Sequence, residues 1–179
     1  MSVIAMPSDT NPVTQHRVWK LGENIDTDLL MPGQAMKLGM DGMKAHCLSR
    51  ERPDFAANVR PGDVIVAGAG FGIGSSREQA ASVLVALGIA AVIAPNFGGL
   101  YFRNAFNVGL LLLTADVQAS VVDGDLIAID TSDSTQPLVK DTQGAQHRCE
   151  PIPDFLMQRV RLGGLLPELK QRLSQKHHV

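Results

Sequence analysis

The sequence predicts a single α/β domain whose core is a parallel sheet, with an antiparallel layer added to it. Three observations predict this class. Short apolar runs alternate with helical segments through the middle of the chain. A glycine-rich segment separates the first of these runs from the helix that follows it. The last third of the chain changes to short strands around a glycine turn, a pattern typical of antiparallel pairing. At 179 residues the chain suits one domain.

The chain begins with residues 1–15, which are rich in proline, serine, threonine and asparagine and are expected to form a disordered tail. The domain is then predicted to span residues 16–179. Alternation at residues 17–21 predicts its first strand, and a turn-like GENIDTD segment follows, in which Asp26 is expected to act as a cap. Residues 33–60 lack clean periodicity, which predicts a long loop with one short helix.

The middle of the chain alternates strands and helices. Strands are predicted at 62–68, 89–95 and 110–113, and helices at 77–88 and 99–109. Because helical crossovers join parallel strands, these three strands should form a parallel sheet. The first helix should bury one apolar face, formed by Ala80, Ala81, Leu84, Val85 and Leu87.

The remaining segments predict the added layer. Residues 123–130 and 136–150 are expected to pair as antiparallel strands around a glycine-containing turn. Residues 152–173 predict two short helices that separate at Gly163 and Gly164, since glycine commonly follows the end of a helix.

Composition limits what the chain can bind. The net charge of −2 gives no general attraction to nucleic acid or to an anionic membrane, and no apolar run reaches the roughly 20 residues that span a bilayer. The first residues lack the basic and apolar regions of a secretory signal, so we expect a cytoplasmic protein. Cys47 and Cys149 stand far apart in the sequence, which favours reduced thiols and predicts that this chain alone holds no iron–sulfur cluster or other metal.

The most informative stretch is VAGAGFGIGSSREQAA at residues 66–81, in which four alternate glycines precede two serines, an arginine and a glutamate. Its spacing excludes three known glycine loops. It lacks the third glycine of a dinucleotide-binding G-x-G-x-x-G, the lysine of a P-loop, and the second glycine of a G-x-S-x-G nucleophile elbow. Alternate glycines instead let the backbone approach a ligand closely.

Two interpretations of this stretch stay open at the level of residues. Ser75 and Glu78 have the spacing of a capping box, in which Ser75 only begins the helix. Arg77, however, is expected in the first helical turn, where the helix dipole disfavours a cation; this predicts an anion between the helix terminus and the guanidinium. The stretch is then an anion-binding pocket with the hydroxyls of Ser75 and Ser76 at its edge.

Three blocks of sequence identify a family resemblance. GFGIGSSREQA, the upstream NIDTDLLMPG and the downstream YFRNAFNVGLLLL resemble, in order and spacing, the small subunit of 3-isopropylmalate dehydratase, the counterpart of the swivelling domain of the aconitase superfamily. The resemblance runs from about Val18 to Leu173. It implies a swivelling β/β/α domain and a hydro-lyase, which removes water from a hydroxy di- or tricarboxylate and adds it back at the neighbouring carbon.

The resemblance also implies a cofactor, a partner and a site. A separate large subunit would hold a 4Fe–4S cluster that acts as a Lewis acid on the substrate, and this chain would close the cleft without binding a cofactor itself. Ser75 corresponds to the base that abstracts the proton α to a carboxylate, and Asp28 to a second catalytic position. The substrate-binding positions would be Gly72, Gly74, Ser76, Arg77 and Lys37. Arg103 and Asn104 are expected on a polar helix face, where they could line the cleft.

The sequence departs from the family pattern in two places. Ala69 and Gly70 stand where the family usually has Glu-Asn, and Ile73 stands where it has cysteine. The loop that reads the variable group of the substrate is AMKL at residues 35–38 instead of a Tyr-Leu-Arg-Thr-like sequence. The leading substrate is a 2-alkylmalate such as isopropylmalate, and homoaconitate-, citrate- or methylmalate-like acids are the alternatives. A carboxylate-binding module without catalysis is a further alternative, against which the retained Ser75 and Arg77 argue.

Overall fold

Seven strands and seven α-helices form the part of the chain that the computed structural model describes, residues 14–176. The strands are β1 (Gln15–Lys20), β2 (Val64–Val66), β3 (Ala91–Ala94), β4 (Leu111–Thr114), β5 (Leu126–Asp130), β6 (Leu138–Lys140) and β7 (Gln146–Arg148). The helices are α1 (Thr27–Leu30), α2 (Gly39–His46), α3 (Phe55–Asn58), α4 (Gln79–Ala86), α5 (Gly99–Asn107), α6 (Asp154–Arg161) and α7 (Leu165–Lys176). Short 3-10 turns occupy Ala35–Lys37 and Gln118–Ser120. Residues 1–13, most of the predicted tail, lie outside the described residues, and β1 begins at Gln15.

All seven strands join one mixed sheet in the order β4-β3-β2-β1-β5-β6-β7. Strands β1 to β4 pair in parallel, whereas β5 to β7 continue from β1 in antiparallel pairs. Every residue of β2 and β3 is buried, as expected for strands of a parallel sheet that is covered on both faces. The predicted fold class, a parallel core with an antiparallel layer, is therefore confirmed.

The segment between β1 and β2 is more helical than its sequence predicts. Asp26 caps α1 as expected, because its side chain accepts a hydrogen bond from the backbone N–H of Leu29 at 2.8 Å. The prediction of one short helix in residues 33–60 is wrong, since both α2 and α3 lie there. Helix α2 buries only Met43 and contains two glycines, so its sequence carries no apolar periodicity by which it could be recognised.

The helix after the glycine-rich stretch begins later than predicted, at Gln79. It buries Ala80, Ala81, Val83 and Leu84. Val85 is exposed, so its predicted place on the buried face is wrong. Each residue advances about 100° around a helix, which carries Val85 beyond the edge of the buried stripe. The two closing helices, α6 and α7, separate at Gly163 and Gly164 as predicted.

The ends of the parallel strands determine where a site can form. The carboxyl ends of β1, β2 and β3 lie at the same edge of the sheet, and the segments that follow them are residues 21–26, 67–78 and 95–98. Ligand sites of α/β proteins form preferentially at this edge. Among the described residues, no helix has the length and apolar character needed to cross a membrane.

One buried charge connects β1 to the beginning of β2. The carboxylate of Asp63 accepts hydrogen bonds from Nε of Arg17 (3.2 Å), Nε1 of Trp19 (2.9 Å) and the backbone N–H of Arg60 (2.9 Å). Burial by itself raises the pKa of Asp63, but the bonds from Arg17, Trp19 and Arg60 outweigh burial and hold the pKa below its ordinary value. The ionised carboxylate therefore stabilises the folded chain.

We predict that Asp63→Asn lowers the free energy of unfolding at pH 7 by about 2–4 kcal/mol, measured by urea denaturation, because Arg17 loses its buried partner. Since the folded pKa is depressed, the difference between the two proteins should be full above the ordinary pKa of aspartate and should vanish as the pH falls through the folded value. Asp54→Asn is the control, because the exposed Asp54 carboxylate pairs with Arg52 at the surface and its loss should change little. Equal losses in the two variants would contradict the assignment.

Candidate active site

The glycine loop, defined here as residues 67–78, connects β2 to α4 and runs between the segments that follow β1 and β3. The loop exchanges backbone hydrogen bonds with both neighbours: Asn24 N to Ala69 O (2.7 Å), Gly72 N to Ile25 O (2.7 Å), Thr27 N to Ile73 O (2.9 Å) and Gly98 N to Phe71 O (2.8 Å). Isolated parallel bridges join Asp26 to Ile73 and Phe71 to Phe97. The loop therefore extends the parallel order of the sheet beyond the ends of its strands.

Two of the glycines set the path of this loop. Gly72 has a φ of +72°, and a Cβ atom there would lie 2.2 Å from Cγ of the buried Tyr101. Gly74 has a φ of +102°, and a Cβ atom there would lie 3.2 Å from Oγ1 of Thr27. Both were expected at the substrate. Each position favours glycine because its φ is positive and the backbone lies close to another side chain, Tyr101 at Gly72 and Thr27 at Gly74.

Ser75 lies exposed in the loop, and its contacts lead to α1. Its backbone N–H donates to Oγ1 of Thr27 at 3.0 Å, and its own hydroxyl lies 3.1 Å from the same oxygen. The capping-box interpretation is wrong, because α4 begins at Gln79 and no side chain caps it. The hydroxyl of Ser75 is thus not occupied by the helix terminus.

Arg77 precedes α4 instead of lying in its first turn, which corrects the expected position. Its guanidinium Nη1 donates to the carboxylate of Asp28 and to the carbonyl oxygen of Met31, the latter at 3.3 Å. The anion expected beside Arg77 is therefore, in this chain, its own Asp28. The side chain of Arg77 is 26% exposed and that of Asp28 60% exposed. The pair is open to solvent, and Nε and Nη2 of Arg77 have no hydrogen-bond acceptor among residues 14–176.

Ser76 is held through its backbone. The buried Asn104 of α5 donates from Nδ2 to the carbonyl oxygen of Ser76 at 2.9 Å, whereas Ser76 is exposed and its hydroxyl makes no hydrogen bond within the described part of the chain. Of the two residues expected on a polar helix face, Asn104 thus binds the backbone of the glycine loop, while Arg103 is exposed. The roles of Asn104 and Thr27 were missed by sequence reasoning. Both lie within the blocks that carry the family resemblance, which is the one signal that marks them.

The structure brings together four of the five expected functional side chains. Ser75, Ser76 and Arg77 come from the glycine loop, and Asp28 comes from α1. Lys37 is exposed at the end of the 3-10 turn before α2, and no hydrogen bond or ion pair within residues 14–176 joins it to them. The hydroxyls and the Arg77–Asp28 pair are therefore groups that can exchange a proton and bind a carboxylate, and Lys37 does not contact them.

The residues described do not fit an iron–sulfur cluster. Within residues 14–176, no three side chains of the cysteine, histidine, aspartate or glutamate type lie close enough together to hold a metal ion. Burial raises the pKa of the Cys47 thiol far above its ordinary value and that of Cys149 to about 11. Thiolates are the form that binds iron, and these two thiols are held in the protonated form.

Comparison with known proteins agrees with the fold and identifies the family of the chain. Residues 26–118, which include the glycine loop and α1, match the aconitase C-terminal domain family, and the chain belongs to that family. It is 40% identical to the methanogen homoaconitase small subunit of Methanothermobacter thermautotrophicus, over 86% of this chain and 89% of the relative. It is 41% identical to the 3-isopropylmalate dehydratase small subunit of Nautilia profundicola, over 89% of this chain and 95% of the relative.

A solved structure supports the same assignment. The crystal structure of 3-isopropylmalate dehydratase (LeuD) from Methanocaldococcus jannaschii superposes with a TM-score of 0.83 at 35% identity, covering 92% of this chain and 98% of that one. Within the aconitase superfamily, the chain is thus a hydro-lyase small subunit of the isopropylmalate and homoaconitate dehydratase type. The resemblance stated from its sequence is confirmed.

We predict that Gly72→Ala lowers the free energy of unfolding by about 2–5 kcal/mol, measured by thermal or urea denaturation, because the new methyl group meets the Tyr101 ring and the backbone keeps a positive φ. Gly99→Ala is the matched control, since nothing lies within 4 Å of a Cβ atom there and the residue begins α5. A Gly72→Ala protein as stable as the control would contradict the packing of the loop on Tyr101.

Proposed function

We propose that the chain forms one wall of the active site of an iron–sulfur hydro-lyase, and that a large subunit holding the cluster forms the other. The observation that carries this proposal is the joint placement of the Ser75–Thr27 and Arg77–Asp28 pairs where the parallel strands end. One pair offers a hydroxyl that can become a base, and the other offers a cation for a carboxylate. Free, buried Cys47 and Cys149 are in keeping with a cytoplasmic setting.

Ser75 is the base in this proposal. Its Oγ, in the ionised form, takes the proton from the carbon α to a substrate carboxylate, and the electron pair left behind forms the double bond as hydroxide leaves the neighbouring carbon. A cluster held by the large subunit would supply Lewis acidity to this leaving group. In the return direction Ser75 gives the proton back to carbon. A serine can serve as such a base only where hydrogen-bond donors and positive charge surround it.

Arg77 provides the positive charge and the carboxylate site. Asp28 occupies Nη1, which leaves the other N–H groups of the guanidinium for a substrate carboxylate. We assign Asp28 to catalysis through Arg77, whose orientation it holds. The free hydroxyl of Ser76 adds a further donor beside the loop. Contact with the large subunit would remove water from these groups and strengthen each interaction.

The relatives support two classes of substrate. Small subunits that act in 3-isopropylmalate dehydratases support a 2-alkylmalate as the leading substrate. A homoaconitate-like tricarboxylate is the second candidate, because a homoaconitase small subunit is 40% identical. We assign the exposed Lys37, which was expected at the substrate, to the third carboxylate of such an acid. Citrate- and methylmalate-like acids complete the set to be tested.

The test of this function reconstitutes the chain anaerobically with its large subunit and an intact cluster. Formation of the alkene is followed by absorbance with isopropylmalate, homocitrate, citrate and a methyl-substituted malate. We expect isopropylmalate to have the highest kcat/KM. A higher value with homocitrate would instead select the tricarboxylate candidate. Absence of turnover with every acid would contradict the hydro-lyase function.

We predict that Ser75→Ala lowers kcat at least about 100-fold, because the complex loses the group that takes the proton. Assembly with the large subunit, measured by size-exclusion chromatography, should be unchanged. Ser76→Ala is the neighbouring control: it should raise KM more than it lowers kcat, since Ser76 is assigned to binding. Near-normal kcat in Ser75→Ala would remove Ser75 from its role as the base.

A further inference from the structure

We propose that Thr27 is a positioning residue that holds Ser75 in place and stabilises its ionised hydroxyl by donating a hydrogen bond to it. This inference rests on the proposed function, in which Ser75 is the base. Thr27 is 1% exposed and lies at the beginning of α1, directly under the glycine loop. Nothing in the family resemblance assigns it a task.

The backbone fixes where the Thr27 hydroxyl lies. The N–H of Thr27 donates to the carbonyl oxygen of Ile73 at 2.9 Å, and its carbonyl oxygen accepts from Met31 N at 3.0 Å. The preceding residue, Asp26, caps α1. Gly74 passes close to Thr27, since a Cβ atom at Gly74 would lie only 3.2 Å from Thr27 Oγ1. Contacts within α1 and with the glycine loop therefore hold Thr27 Oγ1 beside Ser75.

The direction of the hydrogen bonds follows from their partners. The N–H of Ser75 donates to Thr27 Oγ1 at 3.0 Å, which uses a lone pair of that oxygen and leaves its proton available. The two hydroxyl oxygens are 3.1 Å apart, and in the neutral pair either can donate. Once Ser75 loses its proton, its Oγ can only accept, so Thr27 must donate. A hydrogen bond to an ionised acceptor is stronger than one between neutral groups, and the bond therefore favours the ionised form of Ser75. Thr27 transfers no proton itself.

The charged groups on the surrounding elements stay the same when Thr27 is changed. On α1 and its cap these are Asp28 and Asp26, and on the glycine loop they are Arg77 and Glu78. On α5 the exposed cation is Arg103, whereas Asn104 is neutral. A change of the pH profile in a Thr27 variant therefore reports the lost hydroxyl and not a lost charge.

The test compares Thr27→Val, which keeps the shape and removes the hydroxyl, with Thr27→Ser, which keeps the hydroxyl. Both are measured as the reconstituted complex with the large subunit, with the most active acid of the panel. We expect Thr27→Val to lower kcat at neutral pH about 10- to 100-fold, to change KM little, and to move the acidic limb of the kcat–pH profile to higher pH. Thr27→Ser should restore the wild-type profile.

Several results would overturn the inference. Wild-type kcat and an unmoved profile in Thr27→Val would do so, and so would equal loss in Thr27→Val and Thr27→Ser with an unmoved limb, which indicates a packing role alone. If Thr27→Val does not assemble, Thr27→Ala takes its place under the same criteria, and failure of both to assemble would likewise reduce Thr27 to a packing role. An inactive wild-type complex would remove the proposed function and this inference with it, whereas an active wild type beside an unimpaired variant would remove the inference alone.

Discussion

The constraint on which the site depends is the close approach of the glycine loop to the segments on either side of it. Gly72 lies on the Tyr101 ring with no room for a side chain, and its N–H bonds to the carbonyl oxygen of Ile25. The loop is thereby held between the segment that follows β1 and the segment that follows β3, in the same spatial order as the strands themselves. Because the backbone is fixed at Gly72, the residues that follow it lie beside α1. There Ser75 contacts Thr27, and Arg77 contacts Asp28.

The charges of the site are paired within this chain. Arg77 carries a carboxylate of its own chain, Asp28, so the isolated subunit exposes a balanced pair and not a bare cation. In the proposed function a substrate carboxylate binds the unused N–H groups of the guanidinium while Asp28 stays in contact with Arg77. Ser75 and Ser76 project from a backbone that Thr27 and Asn104 support. In the proposed function this polar surface is one wall of the active site, and contact with the large subunit would exclude water from it.

The parallel core could be predicted because β2 and β3 are continuous apolar runs between glycine and proline signals. Helix α2 could not, since it buries Met43 alone. At the site, the resemblance predicted roles for Ser75, Arg77 and Asp28, and those roles stay predictions. The capping box failed because its spacing is local, while the Ser75 hydroxyl has a partner 48 residues away. The bond from Asn104 to Ser76 spans 28 residues. Such contacts depend on where the folded loop lies relative to α1 and α5. The spacing of residues within a single sequence does not predict that placement.

The most direct measurement of the central claim is the structure of the reconstituted complex with a hydroxy acid bound. The account predicts that Ser75 Oγ lies within about 3.5 Å of the substrate carbon that carries the acidic hydrogen, near hydrogen-bond reach of the proton it takes. It also predicts that Arg77 binds a substrate carboxylate while it keeps its contact with Asp28. An acid bound with this carbon remote from Ser75, or with Arg77 turned away from it, would contradict the account.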